Sequence, residues 1–142
     1  MSAQILKDAE IYCEEKGLRC TPTRRLVLDI IAKAKKPITA YEVLDALKPH
    51  VKNPKPPIVY RATDFWQEHN FIHKIQSLNA FMTCREGHQH SGSQYMICDT
   101  CGDVTEIHLC SMPDTISKAA KKSGFTADFW NLELHGRCQR CV

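Results

Sequence analysis

No stretch of this sequence stays apolar for the roughly 18–20 residues that a membrane span needs, so no membrane partner is expected. Residues Met1 to Glu10 hold no continuous apolar run either, which leaves no secretion signal there. Without an export route, the eight cysteines are not expected to form four disulfides. In a reducing cytoplasm, paired cysteines serve metal or redox chemistry instead. Internal repeats and low-complexity tracts are missing. So are His-x-Glu and Pro-Cys-x-x-Cys, which a zinc-dependent nucleobase deaminase needs for its proton shuttle and its activated water. The expectation is a cytoplasmic protein that is not an enzyme and has no small-molecule substrate.

What is present is globular. Over 142 residues the chain is 43% hydrophobic and 25% charged, enough for one domain or two small ones. Small domains bury proportionally little surface, so each would need a staple or a partner. The net charge of +3 hides an asymmetry. From Lys16 to Arg61 there are eleven Lys/Arg against three Asp/Glu, an excess of +8; from Phe81 onward there are six against seven. The basic half points to a polyanion partner such as nucleic acid. A merely solvated cationic face would look the same by charge alone.

Two Cys-x-x-Cys knuckles, Cys98/Cys101 and Cys138/Cys141, stand 36 residues apart. A two-residue spacer lets both sulfurs of a pair reach one metal, and four thiols complete a tetrahedral zinc site. Such a set leaves no position open for substrate, which makes it a structural staple. The alternatives are a redox dithiol or spare buried thiols, but neither pair follows a thioredoxin-like βαβ pattern. Cys13, Cys20 and Cys110 have no partner at metal-site spacing and read as ordinary reduced thiols. His50 and His69 read as surface residues.

Periodicity places the elements. Residues 3–16 predict a helix stopped by Gly17, and Thr21-Pro22 opens a second that Pro37 ends. Thr39-Ala-Tyr-Glu42 is a capping box. Pro49 to Pro57, with four prolines, is a loop. Pro57 opens a helix to about His69, with Asn70 as a left-handed cap. Phe71–Ile75 and Ala80–Cys84 read as strands joined by a turn near residues 77–79. Short helices followed by a hairpin describe a winged helix-turn-helix. Beyond it, Gln94–Cys98 and Val104–His108 read as strands around the first knuckle, Ser111-Met-Pro-Asp114 as an N-cap for a helix ending at Gly124, and Phe125–His135 as a third strand.

Six segments in order are similar to the ferric uptake regulator superfamily, and more narrowly to its zinc uptake regulator branch. They are Leu18-Arg-Cys-Thr-Pro-Thr-Arg-Arg25, Ala40-Tyr-Glu-Val-Leu44, Pro56-Pro-Ile-Val-Tyr-Arg-Ala62, Phe71-Ile-His-Lys-Ile75, Ile97-Cys-Asp-Thr-Cys-Gly102 and Leu134-His-Gly-Arg-Cys138. The resemblance implies an α+β protein. A winged-helix DNA-binding domain would span 1–84, a hinge 85–92, and a small α/β dimerisation and metal-binding domain with the four-cysteine zinc site 93–142. It implies a homodimeric, zinc-loaded repressor of zinc-uptake genes that binds double-stranded operator DNA. An iron, manganese or peroxide sensor is the alternative within the family.

Two zinc ions per protomer are expected, one structural and one regulatory. Matching to the zinc-sensing branch assigns the regulatory ligands to His73, Cys84, His90 and Glu106, with His88 competing for the place of His90. A two-histidine, thiolate and carboxylate set suits Zn²⁺ better than the nitrogen–oxygen sets suited to iron or manganese. One metal on all four would join the two domains and let metal binding select their geometry. For a further site of the iron- and manganese-sensing relatives, His88, Asp103, His108 and His135 are possible contributors. Trp130 stands where those relatives tend to place a histidine. Matching also assigns DNA contacts to Tyr41, Tyr60 and Arg61. Helical spacing turns Tyr60, Arg61 and Asp64 outward and Val59, Ala62, Thr63 and Trp66 inward. Arg24, Lys52 and Lys55 are expected to contact phosphates.

Overall fold

The computed structural model describes residues 2–84, 94–107 and 111–142. It divides into two compact units, Met1–His88 and Gln89–Val142. The expected hinge, 85–92, lies outside the described residues.

In the first unit, helices α1 (Ser2–Lys16), α2 (Pro22–Lys33), α3 (Ala40–Leu47) and α4 (Pro56–Glu68) precede a small sheet. Each boundary has a local cause. Gly17 takes φ +66°, a left-handed conformation that costs glycine little, and ends α1. The Thr21 hydroxyl accepts from the Arg24 amide at 3.2 Å and starts α2. The capping box at Thr39 is complete: Glu42 N–H donates to Thr39 Oγ1 at 3.3 Å, and Thr39 N–H to Glu42 Oε1 at 3.2 Å. Helix α4 begins one residue earlier than its sequence signal. Both Pro56 and Pro57 fit its first turn, where amide hydrogens have no helical acceptor. Asn70 follows it at φ 63°, as expected.

Strands β2 (Ile72–Ile75) and β3 (Ala80–Thr83) form the wing, turning through a 3₁₀ segment and a left-handed Asn79. Beside them lies β1 (Ile38–Thr39), whose two residues pair with Phe81 and Ala80 to complete an antiparallel sheet of order β1-β3-β2. Two residues are too few for any alternation to appear in sequence. The core gathers Ala9 and Cys13 of α1, Val27, Leu28 and Ile31 of α2, Val43 and Leu47 of α3, and Val59, Ala62, Phe65 and Trp66 of α4, over Ile72 and Phe81 of the sheet.

The second unit holds β4 (Gln94–Cys98), β5 (Val104–Glu106), α5 (Asp114–Lys122) and β6 (Leu132–Gly136). Its sheet has order β5-β4-β6; β5 runs antiparallel to β4 and β6 parallel to it. A parallel neighbour requires a crossover, which α5 supplies. Three expectations are corrected. Strand β5 ends at Glu106. Ser111 does not cap α5; Pro113 precedes its first turn and offers no side-chain acceptor. The third strand occupies only Leu132–Gly136, because pairing to β4 is confined to Gln94–Cys98. Phe125 and Phe129 lie outside it and are exposed.

Candidate metal centres and nucleic-acid face

The parallel ladder of β4 and β6 ends in register at Cys98 and Gly136. This pairing brings two knuckles that are distant in sequence to the same end of one sheet. Each knuckle is a tight turn. Gly102 N–H donates to Cys98 O at 2.8 Å, with Gly102 at φ 78°, where a side chain would be strained. In the second, Cys141 N–H donates to Cys138 O at 2.9 Å. The four sulfurs of Cys98, Cys101, Cys138 and Cys141 lie within 4.8 Å of one another, and Cys101 and Cys138 are 3.8 Å apart. Sulfurs on a tetrahedron about a zinc at ~2.3 Å stand about 3.8 Å apart. The donor set and spacing therefore fit zinc.

The thiols are electrostatically unequal. Cys98 Sγ accepts backbone N–H bonds from Cys101 at 3.5 Å and Cys138 at 3.4 Å. These stabilise its thiolate and draw its pKa down to about 6. Hydrogen bonding to Cys138 first, and then burial, pushes Cys141 up to about 12. Cys101 is raised by its bond to Cys98.

On the wing, Ile72 pairs with Thr83 and His73 with Met82. One step beyond the ladder, Cys84 N–H donates to Phe71 O at 3.0 Å. By strand alternation His73 and Cys84 share one face as diagonal neighbours, opposite the face where Ile72 and Phe81 join the helical core. Their ligand atoms lie within 4.8 Å. Cys84 is buried. Glu106 closes β5 of the second unit. His90 and its competitor His88 lie outside the described residues.

Helix α4 presents its faces as its periodicity requires. Val59, Ala62, Thr63 and Trp66 are buried, whereas Tyr60, Arg61 and Asp64 are exposed. Tyr41, on the first turn of α3, is 76% exposed. Lys52 and Lys55 are exposed in the loop ahead of α4. Arg24 is half-buried. Its guanidinium lies 4.0 Å over the Phe65 ring and donates to Arg19 O at 2.7 Å.

His69 is likewise no plain surface residue, since Tyr12 Oη and His69 Nδ1 are 3.0 Å apart. Burial raises the Cys13 and Cys20 thiols, as inert packing groups require. Cys110 lies outside the described residues. Of the further site's contributors, His135 is occupied by Asp99 and Glu133, and Asp103 pairs with Arg140. His88 and His108 lie outside the described residues. Sequence reasoning missed Asp99 and Arg140. Both sit inside the knuckles, and that position was the available signal. Among the described residues no helix is long and apolar enough to cross a membrane.

A winged helix-turn-helix followed by an α/β unit closed by four thiols defines a class of winged-helix proteins carrying a metal-binding module. Residues 15–135 match the ferric uptake regulator family, and the chain belongs to it. It is 37% identical over 140 residues to the zinc uptake regulation protein of Escherichia coli (strain K12), covering 98% of this chain and 82% of that one. It is 26% identical to the peroxide operon regulator of Bacillus subtilis (strain 168), covering 99% of this chain and 96% of that one. A solved zinc uptake regulator complexed with zinc and DNA superposes with a TM-score of 0.89 at 36% identity, over 100% of this chain and 95% of that one.

Proposed function

We propose that this protein is a zinc-responsive transcriptional repressor that binds operator DNA as a homodimer and shuts off zinc-uptake genes. The observation that carries the reading is the whole-length likeness to a zinc uptake regulator bound to zinc and DNA. The lower identity to a peroxide regulator, 26% against 37%, favours zinc over the rival sensing chemistries. Acting on gene expression in the cytoplasm, it needs no catalytic group.

Each protomer takes two zinc ions. Cys98, Cys101, Cys138 and Cys141 hold the first, which staples a small unit whose own core is thin. His73, Cys84, His90 and Glu106 hold the second. Supporting this are the shared wing face of His73 and Cys84 and the softness of a thiolate donor. Bound there, zinc favours the DNA-competent state, and its affinity difference between states sets how much protein is competent for DNA.

On the DNA side, Tyr60 and Arg61 stand in the second turn of α4, near the end that enters a major groove in helix-turn-helix proteins. Arg61 suits bidentate bonding to guanine, and Tyr60 suits packing on a thymine methyl. Tyr41 contacts base or sugar-phosphate, and Lys52 and Lys55 neutralise phosphates. The hinge is 85–92. Exposed Met96, Ile116, Phe125, Phe129 and Leu134 give the second unit apolar surface for a second copy. A gel-shift assay on a palindromic AT-rich fragment, with and without zinc, tests the reading. Retardation only with zinc is expected; retardation unaffected by chelation contradicts it.

A further inference from the structure

The two knuckles are joined by more than their sulfurs. Where the β4–β6 ladder ends, Asp99 N–H still donates to Gly136 O at 2.9 Å. Asp99 lies inside the first knuckle, and its Oδ1 is 2.9 Å from Nδ1 of His135, three residues ahead of Cys138. The other ring nitrogen of His135 is 3.3 Å from Glu133 Oε2, which fixes the imidazole between two carboxylates. On the far side, Arg140 inside the second knuckle pairs with Asp103, just past the first. The Asp103 backbone is fixed in turn, because its carbonyl accepts from Cys98 N–H at 2.8 Å. Both side-chain bridges cross the same seam, and neither uses a thiol.

From this arrangement we infer that Asp99–His135 and Asp103–Arg140 form a clamp that presents the four thiols already converged and slows the loss of metal from them. The inference rests on the four cysteines being a zinc site. A competitor removes a four-thiolate metal stepwise, and the knuckles must part before the last sulfurs are free. Parting them requires both bridges to open. Each bridge is partly exposed and weak alone. Their effect comes from spanning one seam at two points, so that either holds while the other is broken. His135, Asp99, Asp103 and Arg140 are thus positioning residues, acting through the placement of the cysteines.

The test uses full-length zinc-loaded protein carrying Cys84→Ser, so that zinc remains only in the knuckles. Zinc per chain is measured first, and then the rate of transfer to a chromophoric chelator. Because exposed pairs are individually weak, Arg140→Ala and His135→Gln are expected to speed transfer about three-fold each and about ten-fold together. Exchanging the charges, Asp103→Arg with Arg140→Asp, restores the slow rate where a packing role would not. A parent protein that holds about one zinc and a double variant that releases it no faster overturn the clamp alone. A parent that holds no zinc overturns both the clamp and the reading of the cysteines.

Discussion

The indole N–H of Trp66 donates a 2.8 Å hydrogen bond to the carbonyl oxygen of Arg24, tying α4 to the first turn of α2. Trp66 is fully buried, its ring edge-on to Phe65 and Phe71. Arg24 closes the same joint from outside by stacking on Phe65. The helix that carries Tyr60 and Arg61 is therefore fixed in orientation by its buried face. Truncating Trp66→Ala removes a large core side chain and is expected to cost about 3–5 kcal/mol. Thermal unfolding of the first unit reports it. A change under about 1 kcal/mol contradicts the role given to this joint.

Arg61→Ala is expected to weaken operator binding by about 1–3 kcal/mol and to relax preference at one base position. Lys55→Ala should weaken binding to all sequences alike and reduce the salt dependence by about one charge. Titration against operator and scrambled duplexes at several salt concentrations separates them. Equal losses on both duplexes for Arg61→Ala rule out a reading role.

Cys138→Ser breaks the four-thiol set. Metal analysis should find one zinc fewer per chain, and limited proteolysis should cut the second unit first. Cys84→Ser should also lose one zinc, yet leave that unit folded while abolishing the response of DNA binding to zinc. If the two variants behave alike in proteolysis, the division into structural and regulatory metal fails.

His135 offers a pH test. Hydrogen bonds to Asp99 first and Glu133 second raise its pKa above 6.5. A raised folded-state pKa contributes stability fully below the unfolded value, and that contribution is lost as pH rises through the folded value. The gap in thermal midpoint between the parent and His135→Gln should therefore be widest below about pH 6.5 and close on the alkaline side. A gap that widens with pH contradicts the assigned partners.

Much of this protein was legible in its sequence because its signals are local. The capping box at Thr39, the paired prolines before Tyr60 and the left-handed Asn70 each fix one boundary through one residue's stereochemistry. The knuckle spacing implied four converging thiols, since two-residue spacers leave little freedom. What stayed hidden depends on distant pairing. Strand β1 exists because Phe81 and Ala80 lie beside it, and β6 is short because its partner is. Arg24 reads as a free cation until Phe65, 41 positions on, comes beneath it. The kinship of His73 and Cys84 becomes physical only through the register of the wing.

The central claim is that zinc controls DNA binding through the set containing Cys84. Its most direct test is operator affinity titrated against buffered free Zn²⁺, with Fe²⁺ and Mn²⁺ in parallel and metal content measured on the same sample. Affinity should rise with free zinc as the second ion per chain binds, while iron and manganese leave it low. An operator affinity indifferent to zinc, or restored equally by iron or manganese, would contradict the account.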